Sequence, residues 1–108
     1  MSNYNGKHLY LNKKEISLDH TIQKVVEFSD QVIVLIYDDI IFTNNVIAFD
    51  FKGKELWRIN DVLEIKNPKG NVDIKKEDDN ILLVTSSLGF IYKIDINTKK
   101  MVDKLFLR

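Results

Sequence analysis

The chain reads as an all-β, antiparallel fold, on three observations. Gln31 to Tyr37 (QVIVLIY) is nearly all apolar and rich in β-branched residues, and seven residues is a strand length rather than a helix length. Elsewhere apolar residues alternate with polar ones, between tight turn signals. Finally, one unit of the sequence recurs further along the chain. Together these predict an antiparallel meander of about eight to ten short strands, as a β-sandwich or a strongly curved open sheet.

Asp30 to Asp61 organises the rest. A nearly continuous apolar run implies burial on both faces, so Gln31 to Tyr37 is expected to be a central strand. Asn44-Asn45 reads as a turn. In Val46 to Phe51, Ile47, Phe49 and Phe51 share one face, and Val46, Ala48 and Asp50 share the other. Lys52-Gly53 closes a hairpin, and Leu56 to Ile59 returns antiparallel.

The other elements follow in order. Met1 to Lys7 is polar and expected to be loosely held. His8 to Leu11 and Glu15 to Leu18 form a hairpin over 8–18. Asp19 to Ser29 is ambiguous. Ile22, Val25 and Val26 have helical spacing behind a Thr21 or Asp19 cap, but Ile22, Lys24, Val26 and Phe28 also share a strand face, and strand is preferred. Val62 to Ile65 is expected as a short strand, followed by a turn at Asn67-Pro68-Lys69-Gly70-Asn71. Val72 to Lys76 reads as an edge strand and Glu77 to Asn80 as a charged turn. Ile81 to Thr85, Phe90 to Ile96 and Met101 to Leu107 are the last three strands.

Composition bounds the function. At 108 residues, 44% hydrophobic and 30% charged, the chain is one domain (1–108) with a modest core. Sixteen basic and sixteen acidic residues cancel, which argues against general attraction to nucleic acid or anionic membrane. The absence of cysteine excludes disulfides, thiolate catalysis and cysteine metal sites. The first residues lack the apolar core of a secretory signal and no run reaches the length of a membrane span, so a cytoplasmic location is expected.

The internal echo pairs Asp30 to Leu35 with Asp79 to Val84, and Ala48 to Trp57 with Lys93 to Val102. Asp50 then matches Asp95, 45 positions on, which is the length of one propeller blade, about 40–45 residues. The segments NVIAFDFKGKELWRI and GFIYKIDINTKKMVDKL resemble strand pairs from β-propeller blades, especially the quinoprotein-type repeat. The resemblance implies blade-like repeats over about 21–65 and 72–108, with Lys99 standing where the second turn wants glycine. Two copies are too few to close a propeller, so the family's cofactor and metal sites do not carry over.

No residue pattern points to catalysis. His8 and His20 lie outside any ligand spacing, Ser86-Ser87 lacks a nucleophile-elbow context, and Glu77 to Asn80 lacks the ligand order of a calcium loop. Tyr10, Phe49, Phe51, Trp57, Tyr92 and Phe106 are read as core before a base-stacking platform. Catalytic residues, cofactors and metals are therefore expected to be absent. Charge is more informative. Between Lys24 and Lys52 stand Glu27, Asp30, Asp38, Asp39 and Asp50 with no basic residue, while Lys93 to Arg108 holds five basic residues against two acids. Rim charges steer association, and tryptophan is enriched at binding hot spots. A partner-binding surface is thus expected from Asp30, Asp38, Asp39, Asp50 and, if exposed, Trp57. The expected function is a non-enzymatic protein-binding module. Its concrete form is an immunity protein that neutralises a cognate toxin, a basic nuclease for example. In size and bacterial-looking composition the chain is similar to the small immunity proteins of polymorphic toxin systems. The alternative is a structural or self-associating propeller-like module, as monomer or homodimer. A small enzyme or ligand-binding barrel is the weaker third.

Overall fold

The computed structural model describes residues 2–37 and 43–106. They form eleven strands and one short helix, arranged as three antiparallel sheets. The N-terminal sheet is β1 (Ser2–Asn5), β2 (His8–Leu11) and β3 (Lys14–Ser17). The central sheet is β4 (Ile22–Glu27), β5 (Val32–Ile36), β6 (Val46–Phe49) and β7 (Glu55–Arg58). Helix α1 (Ile59–Leu63) leads to the C-terminal sheet of β8 (Asn71–Lys76), β9 (Ile81–Ser86), β10 (Phe90–Asp95) and β11 (Lys100–Phe106). Every sheet is a meander in which sequential strands pair, so the all-β antiparallel reading is correct.

The sheets stack as three layers with the central one in the middle. Ile33, Leu35, Val46, Ala48 and Trp57 pack toward the C-terminal sheet, against Ile74, Leu82, Val84, Tyr92 and Ile94. Val32, Val34, Ile36, Ile47 and Phe49 pack the other way, against Leu9 and Leu11 of β2. This is why β5 is apolar at every position, since each successive side chain enters a different core. Burial of these side chains is worth about 1.5–3 kcal/mol each.

The first strands of the three sheets lie side by side. Glu27 accepts hydrogen bonds from Ser2 N and Ser2 Oγ at 2.8 and 2.7 Å, and Tyr4 Oη donates to the Gln23 carbonyl, joining β1 to β4. Gln23 Nε2 donates to the Val72 carbonyl and Lys24 Nζ sits 2.9 Å from Asp73 Oδ1, joining β4 to β8. The strand pairing shifts register at both Gln23 and Val72. Pairing with β2 makes Ser2–Asn5 a strand, and these contacts dock it on β4, where the sequence suggested a loose terminus.

A second correction concerns Val62 to Ile65, expected as a strand. Residues Ile59–Leu63 instead make one helical turn that buries Ile59 and Leu63 on one face. Arg58, at the N-cap, makes no capping side-chain bond, and Asn44 Oδ1 accepts the Asn60 N–H at 2.9 Å in its place. The cap comes from sixteen residues away, outside the reach of any local pattern.

Asn45 does more than turn the chain. It is fully buried, and its Nδ2 donates at 2.8 Å to the carbonyls of Ile36 and Asn71. Its Oδ1 accepts from Asn71 N and Asn71 Nδ2, both at 3.0 Å. One amide thus ties the central sheet to the first residue of β8. Among turns, Gly53 takes a φ of +93°, and a Cβ there would lie 3.1 Å from the Lys14 side chain of the neighbouring layer. Lys99 takes a φ of +60° without being glycine.

Two predictions follow from this geometry. Asn45→Ala strands Asn71 and Ile36 polar groups in the core and lowers urea-measured stability by about 2–4 kcal/mol. A loss under about 0.5 kcal/mol, normal for a surface change, contradicts the clamp. Lys99→Gly removes left-handed strain of about 1–2 kcal/mol at an entropy cost of about 0.5–1, and so raises stability slightly. A lower melting temperature for this variant rules that out.

Candidate functional site

Of the residues expected to form one acidic surface, Asp30 and Asp50 lie at the same end of the central sheet. Val32 pairs with Phe49 at the end of the central sheet that carries Asp30 and Asp50. Leu35 pairs with Val46 at the other end, from which the 37–45 connection leaves. Asp38 and Asp39 lie outside the described residues. Asp50 serves its own turn, since its Oδ1 accepts the backbone N–H groups of Lys52 and Lys54, both at 2.9 Å. The Lys54 N–H above all, then those of Lys52 and Gly53, hold its carboxyl below the usual 3.8. Asp95 does the same in the second repeat, accepting from Asn97 N and Thr98 N. Trp57, offered as an anchor only if exposed, is a core residue. It is 5% exposed, in the core between the central and C-terminal sheets, and its Nε1–H donates to the buried Gln31 Oε1 at 3.1 Å. Its ring fills that core, and Gln31 satisfies its one polar atom.

A different site stands at the end of the C-terminal sheet. The segment after α1 folds over the inner face of β9, β10 and β11 and leaves a cleft of about 200 Å³. Leu63, Ile65 and Pro68 form one wall, and Leu88, Phe90 and Tyr92 the other. Glu64 and Asn67 take φ values of 51° and 48°, which shape the first wall. Lys66, Lys69 and Lys104 line the cleft, and no acid is among the described lining residues. Lys104 Nζ lies 4.3 Å from the Phe90 ring centroid and 5.8 Å from that of Tyr92, a cation–π arrangement.

Beside the cleft the surface is apolar. Phe106 is 62% exposed and packs on Phe90 with ring centroids 4.9 Å apart, and Leu88 is 57% exposed. Strand β11 is exposed along its length and, among the described residues, pairs only with β10, which leaves its other edge open to them.

Comparison with family profiles matches residues 1–106 to a domain of unknown function, DUF7957. The chain belongs to that family. Comparison with curated proteins finds no match. The family description assigns no chemistry, so the site must be read from its own geometry.

The remaining sequence candidates have structural roles. His8 Nδ1 sits 3.0 Å from Glu15 Oε2 and 3.2 Å from Ser17 Oγ on the outer face of the N-terminal sheet. His20 lines a shallow second cleft with Asp19 and Arg58, and Arg58 is forked onto Glu55 by two 3.0 Å bonds. Asp78 Oδ1 accepts the N–H groups of Asn80 and Ile81, so the charged turn is held by an Asx motif. Among the described residues no cluster of three metal-ligating groups occurs, and no helix is long and apolar enough to cross a membrane. The sequence reading missed the lysine cleft. Its only signals were the basic C-terminal end and the Asn67–Asn71 turn, which are far apart in the chain.

The Asp50 carboxyl supplies a pH test. Its folded pKa is depressed, so the ionised turn stabilises the fold above the ordinary value of 3.8 and loses that contribution as pH falls through the folded pKa. Wild type is expected to exceed Asp50→Asn in stability at neutral pH, with the gap closing under acid. A carbon-detected NMR titration that finds Asp50 at or above its ordinary value refutes this.

Proposed function

We propose that this domain is a non-enzymatic protein-binding module that docks a partner through β11 and the Leu88–Phe106 end of the C-terminal sheet. One observation carries the reading. An open edge strand runs into exposed aromatic and aliphatic side chains, with Met101, Val102, Leu105 and Phe106 all exposed on it. Open edges template strand addition, and clustered apolar side chains rimmed by charge mark interfaces. Lys100, Asp103 and Lys104 supply that charge and guard the edge against indiscriminate pairing. The concrete form of the proposal is an immunity protein, one that occupies and neutralises a cognate toxin in the cytoplasm.

A second reading rests on the same edge. Two copies could pair β11 to β11 about a twofold axis, the commonest symmetry of homo-oligomers. The outer face of the N-terminal sheet presents exposed His8, Tyr10 and Glu15, a poor surface for stacking another sheet, so edge pairing is favoured over blade stacking.

Co-purification from the native cell, with mass identification, tests the first reading. A stoichiometric protein should be recovered with wild type and lost with Val102→Lys and Phe106→Asp, while Asp30→Lys retains it. Recovery unaffected by the two β11 variants sinks the proposal. Light scattering at high concentration decides the second reading, since a dimer mass that Val102→Lys reduces to monomer supports it and a strict monomer removes it.

A further inference from the structure

We infer that the cleft between the 64–70 segment and the C-terminal sheet binds a small organic anion, one ring in size, bearing a carboxylate or phosphate. Three features point there together. Lys66, Lys69 and Lys104 converge on one cleft in a protein of zero net charge, and none of the three forms an ion pair among the described residues. A concentration of one sign within apolar walls focuses the field on an incoming ion of the opposite sign.

A buried hydroxyl among the lysines also has a donor to offer an acceptor. Ser86 is 5% exposed and lines the cleft. Its Oγ accepts the Phe90 N–H at 3.2 Å, and its own O–H finds no acceptor among the described residues. A buried hydroxyl with a spare donor is completed by a ligand oxygen. Every cationic group on the cleft, and this hydroxyl, donates, which suits an anion and not a cation.

Size and walls define the rest of the ligand. A cavity of about 150 Å³ accommodates one benzene, and drug-sized pockets run from about 300 Å³ upward. At about 200 Å³ this cleft takes a single ring plus its anionic group, not a nucleotide. Phe90 and Tyr92, with ring centroids 6.3 Å apart and planes inclined at 28°, give the wall its aromatic surface, and the Lys104 ammonium beside both rings is the contact for the anion. Carboxylate and phosphate share this chemistry, and the number of oxygens that the lysines engage distinguishes them.

The test uses the full chain and amide chemical shifts, titrated with phenyl phosphate, phenylacetate, inorganic phosphate and benzyl alcohol. Saturable shifts are expected at Leu88 to Tyr92 and Lys66 to Gly70 with the two aromatic anions, and much weaker ones with inorganic phosphate or benzyl alcohol. Tighter binding of phenyl phosphate assigns the site to phosphate esters, and tighter binding of phenylacetate to carboxylates. Lys69→Gln and Lys104→Gln should each weaken binding about three- to fivefold, Lys104→Arg should retain it, and Lys75→Gln, outside the cleft, should leave it unchanged. Equal binding of benzyl alcohol, shifts spread over lysines outside the cleft, or unchanged affinity in both cleft variants overturns the inference. These results do not depend on whether a protein partner is recovered, so the two proposals fail separately.

Discussion

Burial of the central sheet on both faces is the constraint from which the rest follows. A strand with one solvated face can alternate, but β5 cannot, because Ile33 and Leu35 enter one core while Val34 and Ile36 enter another. The layers on either side are then obligatory. The N-terminal sheet is small, yet Leu9 and Leu11 of β2 close one core, and without them Val32, Val34 and Phe49 would face water. The same double burial makes any polar group at the sheet's edge expensive unless it is paired. Asn45 meets that demand by bonding across to Asn71, so the polar exception also fixes how the C-terminal sheet is seated.

Much of this was legible in the sequence because it is local. The apolar run announced two-sided burial, the Val46–Phe49 alternation assigned its faces correctly, and the turn at Lys52-Gly53 is where it was expected. Lys99, noted as out of place for its turn, does take a left-handed conformation. What escaped is tertiary. Helix α1 was missed because its two ends were read as parts of separate strands, Leu56 to Ile59 and Val62 to Ile65, and its cap is Asn44, far away in sequence. Ser2–Asn5 is polar, yet it pairs with β2 and is docked on β4 through Glu27 and Gln23. Trp57 shows the limit of a single residue, since core and hot spot demand the same side chain and only packing separates them.

Charge tells a similar story at the site. The acidic run between Glu27 and Asp50 is contiguous in sequence. In space Asp30 and Asp50 stand at one end of the sheet, and Asp50 and its counterpart Asp95 are turn-holding groups in the two repeats. The lysines that do gather come from 66, 69 and 104, which no linear scan would join. A net charge of zero therefore conceals a basic cleft beside an apolar edge, and both proposals grow from that one end of the molecule.

The middle-layer arrangement is the claim on which everything else stands, and two adjacent residues test it. Leu35 and Ile36 are consecutive, fully buried and directed into opposite cores. Equilibrium unfolding of Leu35→Ala and Ile36→Ala should show that each costs about 2–5 kcal/mol, as for deletion of a core side chain. If either proves nearly neutral, within about 0.5 kcal/mol as for a surface position, β5 has one solvated face and the three-layer account is wrong.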